Sequence, residues 1–93
     1  MHATVRTYAA SPELADALVG HQDDVKRLLS GIAGFRAYYL VRTADGAVSI
    51  SVYDDEAGTE ESTRQAASFI RERLPDLGVS APAVSAGEVV INA

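Results

Sequence analysis

At 93 residues the chain can bury one hydrophobic core and has no room for a second, so a single domain spanning residues 1–93 is expected. The absence of cysteine excludes disulfides, thiolate metal centres and thiol nucleophiles. A net charge of −5, with eight Lys and Arg scattered along the chain, speaks against nucleic acid, and no run approaches the ~18 apolar residues of a membrane span.

Residues 2 to 9 alternate, with Ala3, Val5 and Thr7 on one side and His2, Thr4, Arg6 and Tyr8 on the other, which predicts a first strand. The opening residues lack the charged-then-apolar pattern of a secretory leader, and a cytoplasmic location is the expectation. Ser11-Pro12-Glu13 then combines a capping hydroxyl, a proline suited to the first helical position and a carboxylate that complements the positive helix end. The helix is predicted to run to Leu29, burying Leu14, Ala17, Leu18, His21, Val25 and Leu28 along one stripe. Gly31 and Gly34 end it.

Residues 35 to 53 read as a β-hairpin about Asp45-Gly46, a dipeptide that tolerates the positive φ angles of a two-residue turn. That turn pairs Val41 with Ile50, Tyr39 with Val52 and Tyr38 with Tyr53. Alternation then gives one face carrying Phe35, Ala37, Tyr39, Val41, Val48, Ile50 and Val52, expected to be the core face. The other face carries Arg36, Tyr38, Leu40, Arg42, Ser49, Ser51 and Tyr53.

Asp54, Asp55 and Glu56 lack the regular alternation of a calcium loop and are read as the acidic cap of a second helix ending near Leu74-Pro75. Its inward stripe, Thr59, Thr63, Ala66, Ala67, Ile70 and Leu74, is small in volume and leaves open whether a space lies beneath it. Residues 75 to 83 are expected to form a loop, and Glu88 to Ile91 a last strand.

Strand, helix, strand, strand, helix, strand is the split β-α-β order of an α+β, ferredoxin-like fold: a four-stranded antiparallel sheet with two helices on one face. The uncovered face is then predicted to collect Arg6, Tyr8, Arg36, Tyr38, Leu40, Arg42, Tyr53, Glu88 and Val90. Such a patch, apolar but rimmed by charge, implies a homodimer formed sheet to sheet, with one of the arginines reaching Glu88.

The element order, the Gly31-Ile32-Ala33-Gly34-Phe35 link and the Val48–Tyr53 strand running into Asp54-Asp55-Glu56-Ala57 together resemble the antibiotic biosynthesis monooxygenase-like domains of the dimeric α/β-barrel superfamily. The resemblance implies a dimer and an aromatic or quinol-like small molecule held between sheet and helices, oxidised without cofactor or metal. Haem degradation is set aside, because there is no Trp, the only Asn is Asn92 and neither His falls on the second helix. Among residue types used by oxygenase members, His21 and Tyr39 fall on the inward faces derived above. His21 is therefore the candidate base and Tyr39 the candidate hydrogen-bond donor. The alternative is a non-catalytic small-molecule-binding, regulatory or structural dimer. A cavity reached by both His21 and Tyr39 would favour the enzyme.

Overall fold

The structure, a computed structural model describing residues 1–93, has eight elements in chain order. They are β1 (His2–Tyr8), α1 (Leu14–Gly20), α2 (Gln22–Ser30), β2 (Phe35–Arg42), β3 (Ala47–Tyr53), α3 (Glu56–Arg73), a 3₁₀ turn (Pro75–Leu77) and β4 (Ala83–Glu88). The strands form one sheet in the order β2-β3-β1-β4, with every neighbouring pair antiparallel. This is the ferredoxin-like α+β architecture expected from the sequence, with three helices rather than two. No helix is long and apolar enough to cross a membrane.

The extra helix comes from a break in the first one. Gly20 costs a helix interior roughly 0.5–1 kcal/mol relative to Ala. His21 follows with φ −113° and ψ 22°, and its N–H reaches back only to Leu18 O. Val25 N–H then bonds His21 O and the chain resumes as α2, with Asp23 and Asp24 complementing the new N-terminus. At the start of α1 the Ser11 hydroxyl donates to Ala9 O and provides no side-chain cap. α3 follows the sequence more closely: Asp55 caps it by accepting from Gly58 N–H at 3.0 Å, and Leu74 and Pro75 end it. β4 lies five residues earlier than expected. Val89 N–H still bonds Met1 O, but Val90 is 83% exposed beyond the strand.

The hairpin register slides by two positions. Four residues, Thr43 to Gly46, form the loop, so Val41 pairs with Val48 and Tyr39 with Ile50. Gly46 does not adopt a positive φ. It is required for another reason: a Cβ there would lie 1.8 Å from Tyr8 O. Ser11 N–H also donates to Asp45 O at 2.8 Å, so the loop is widened to dock against the exit of β1.

A slide of two keeps the same side chains together but does not say which set the helices cover. They cover the set opposite to the one expected. Along β3 the buried residues are Ala47, Ser49, Ser51 and Tyr53, and along β1 they are Thr4, Arg6 and Tyr8. Val5, Val48, Ile50 and Val52 lie half-exposed on the uncovered face, with Tyr39 at 59% and Val41 at 45% exposure. The expected partner-facing residues Arg6, Tyr8, Tyr38, Leu40 and Tyr53 thus lie under the helices. A bulge at Arg36 also turns Phe35 onto their side, where it packs edge-on against Tyr53 at 5.8 Å between ring centroids. The arginines do not reach Glu88: Arg36 pairs with Asp54 and Arg42 with Asp16, while Glu88 sits exposed on β4 opposite His2.

The physical reason for the reversal is that the more apolar face is not the one that needs the helices. The helix-covered face obtains its apolar packing from Tyr8, Tyr53 and the helices' own Leu14, Leu18, Val25, Leu29 and Phe69. Its one buried charge is enclosed by hydroxyl groups.

Candidate functional site

That charge is Arg6, in the middle of β1 and 1% exposed. Strand pairing sets Arg6 opposite Ser49 of β3, and one turn of α3 brings two more hydroxyl residues over it. Arg6 Nε donates to Ser49 Oγ at 3.1 Å and Nη2 to Ser51 Oγ at 2.9 Å. Nη1 donates to Ser62 Oγ at 3.2 Å and to Thr63 Oγ1 at 3.1 Å. Ser62 passes its own proton to Thr59 O at 2.7 Å. Every partner is neutral. The six ion pairs of the chain employ His21, Arg27, Arg36, Arg42, Arg64 and Arg73, and none involves Arg6.

Arg6 and Ser49 border a cavity of ≈ 20 Å³ between the sheet and the helices, room for about one water molecule. Leu18, Val25, Leu28, Leu29, Ala66, Phe69 and Ile70 make its walls apolar, and Tyr8 and Tyr38 complete it. Tyr8 and Ile70 also border an open groove of ≈ 410 Å³ that runs beneath the C-terminal end of α3 to Pro82. Tyr8 therefore stands between cavity and groove.

Burial pushes the Tyr38 phenol up to about 12, despite the opposing pull of Arg6. Tyr8 is raised for the same reason, again partly offset by Arg6. Both phenols stay neutral near pH 7, where they donate hydrogen bonds but do not take protons. Tyr53, although under the helices, donates to Leu29 O at 2.8 Å and is a structural strut joining β3 to α2.

His21 and Tyr39 do not share this space. Tyr39 is on the uncovered face of the sheet. His21 sits at the α1–α2 break with its ring edge-on to Phe69 at 5.9 Å, and Phe69 is itself a wall of the cavity. The imidazole stands one layer outside, 4.0 Å from Asp24 and about a third exposed. Arg73 also lies over the Phe69 ring, 5.4 Å from its centroid, and bonds Asp24 at 3.0 Å. The pairing that would have made His21 a base and Tyr39 a donor is absent.

The residue missed in their place, Arg6, had a legible signal. Ser49 and Ser51 alternate on β3 in phase with Arg6 on β1, and Ser62-Thr63 fall on the helix above. Hydroxyls gathered from separate elements are what a buried guanidinium requires.

No family model and no curated protein sequence matches the chain. Solved structures do. MhuD from Mycobacterium tuberculosis, a heme-degrader with two hemes bound in its active site, superposes with a TM-score of 0.72 at 10% identity, covering 100% of this chain and 99% of that one. A candidate antibiotic biosynthesis monooxygenase from Chloroflexus aurantiacus gives 0.68 at 16% identity, covering 99% and 95%. A monooxygenase from the gene ActVA-Orf6 of Streptomyces coelicolor, in complex with nanaomycin D, gives 0.61 at 16% identity, covering 98% and 91%. The chain shares the ferredoxin-like α+β fold of these proteins. At these identities the likeness is one of fold, and the chemistry must be argued from this chain's own residues.

Proposed function

We propose that this protein is a cofactor-independent oxygenase of a small aromatic ligand, bound between the sheet and α2 and α3, and that it works as a homodimer joined through the uncovered sheet face. The supporting observation is the cavity itself, apolar on its walls and carrying a single cation and two neutral phenols. An aromatic ring suits the walls, and Tyr8, by rotating, joins the cavity to the groove and makes room for it. In the reaction an activated CH₂ carbon of the ligand takes one atom of O₂, while its two hydrogens leave with the other atom as water. The ligand supplies both electrons, so no cofactor is required.

The dimer rests on the residues actually exposed. Val5, Tyr39, Val41, Val48, Ile50 and Val52 form a β-branched and aromatic face with no helix over it, a composition suited to burial against a second copy. A ligand-binding dimer without catalysis is the second reading, favoured by the lack of a carboxylate or imidazole on the cavity wall.

Oxygen uptake with anthrone-type compounds, which carry such a CH₂ carbon, tests the first reading. The wild type is expected to consume oxygen, Ala66→Phe to abolish consumption by filling the cavity, and His21→Ala to remain within about twofold of wild type, since it touches no reacting atom. Binding of these compounds without uptake would replace the oxygenase by the second reading.

A further inference from the structure

Arg6 ties β1 to β3 and α3 through four neutral hydroxyls, and those contacts leave its charge uncompensated. A guanidinium offers five N–H groups in a fixed fork. Four are committed to hydroxyls of serine and threonine, one from Nε, two from Nη1 and one from Nη2, and the neutral Tyr8 phenol lies beside the guanidinium as its remaining polar neighbour. The hydroxyl oxygens that receive the four satisfy hydrogen bonding but cancel no charge, and a buried charge without a counter-ion is costly to maintain. The chain has thirteen Asp and Glu and pairs none of them with this arginine. Ser49, on the cavity wall beside Arg6, has its oxygen engaged by Nε and keeps its own proton for an acceptor in the cavity.

We propose that Arg6 and Ser49 form an oxyanion-binding subsite at the floor of the cavity, which selects the ionised form of the aromatic ligand, a phenolate or enolate. The counter-ion missing from the protein is supplied by the ligand. This deepens the preceding proposal, since it rests on the cavity being the ligand site. The electron-rich anion is also the form of such a ligand that most readily gives electrons to oxygen. Charge-assisted hydrogen bonds from a desolvated guanidinium are the strong kind, and their strength depends on the acceptor being charged. Tyr8 and Tyr38 add neutral donors and no competing negative charge.

The test uses 4-nitrophenol, whose ionised and neutral forms differ in colour, and 4-nitroanisole, the same ring with no proton to lose. Absorbance titration with excess wild-type protein is expected to show bound 4-nitrophenol ionising about one pH unit below the free compound, a roughly tenfold preference for the anion. The anisole is expected to bind at least about tenfold more weakly than the phenolate. Arg6→Gln should abolish both the shift and the preference, and Arg6→Lys, which keeps the charge, should retain the shift in reduced form. If circular dichroism shows that Arg6→Gln does not fold, Ser49→Ala carries the test, with the shift expected to fall by about half. Equal ionisation of free and bound ligand, an unchanged shift in Arg6→Gln, or no binding of either compound would overturn the subsite. A shift without oxygen uptake removes the oxygenase and leaves the subsite; uptake without a shift does the reverse.

Discussion

The two faces of the sheet have opposite chemistry and opposite fates. One carries valines, an isoleucine and Tyr39, and is left uncovered; the other carries Arg6, Ser49, Ser51 and three tyrosines, and is roofed by helices. An intuitive ranking by apolarity would reverse them. The difference teaches that a helix-covered face needs only enough apolar surface to complement its helices, and can then enclose a polar site. A largely β-branched and aromatic face has no such internal use and suits contact with another sheet.

The sharpest way to break the comparison is to place a charge on the uncovered face. Ile50→Asp should weaken association at least about a hundredfold, because an unpaired carboxylate buried between sheets costs roughly 3–5 kcal/mol. Analytical ultracentrifugation should then show a monomer that keeps its helical circular dichroism. On the roofed face, a Cβ at Gly58 would meet Tyr53 side-chain atoms at 2.7 to 2.8 Å. Gly58→Ala should therefore lose on the order of 2–3 kcal/mol by urea unfolding through overpacking.

Tyr38 gives a pH signature of the same face. Its folded-state value is about 12 against an ordinary 10, so the neutral phenol is favoured by folding. That contribution is present in full below pH 10 and is lost as the pH rises from 10 to 12, on the order of 2–3 kcal/mol in all. Urea unfolding across this range should show the decline, and Tyr38→Phe should reduce it, leaving the part owed to Tyr8 and Tyr53, which burial also raises. A smaller effect is expected at Thr4, where the buried Oγ1 has no hydrogen-bond partner. Thr4→Val should raise stability by roughly 1 kcal/mol in thermal unfolding, by removing an unsatisfied polar group.

Much of this architecture was legible in the residues. Alternation located β1 and the hairpin, the acidic run located the start of α3, and Leu74-Pro75 located its end. From Ala37 to Tyr53 the side chains that share a hairpin face follow from the alternation, because a two-residue slide preserves parity; Phe35, before the bulge, does not. What was not legible depends on contacts between distant segments. The hairpin loop has four residues because Gly46 receives Tyr8 O, and no local propensity encodes that approach. The break at His21 left only the weak signal of Gly20. β4 was misplaced because Ala83-Val84-Ser85-Ala86-Gly87-Glu88 carries a poor strand signature and becomes a strand by pairing with β1, whereas the more apolar Val89 to Ile91 have no partner strand. Arg6 runs against the local signal, because a charge in mid-strand ordinarily marks the solvent side, and only the joint placement of four hydroxyls reveals the exception.

Adjacent residues Ile50 and Ser51 point to opposite faces, and the chain contains no native cysteine to confuse a thiol probe. Maleimide labelling of Ile50→Cys and Ser51→Cys across a dilution series therefore tests the assignment of the faces most directly. The thiol of Ser51→Cys is expected to stay unreactive at every concentration until the protein unfolds, and that of Ile50→Cys to be protected when concentrated and reactive on dilution. A reactive thiol in Ser51→Cys, or one in Ile50→Cys whose reactivity does not change with concentration, would contradict that assignment.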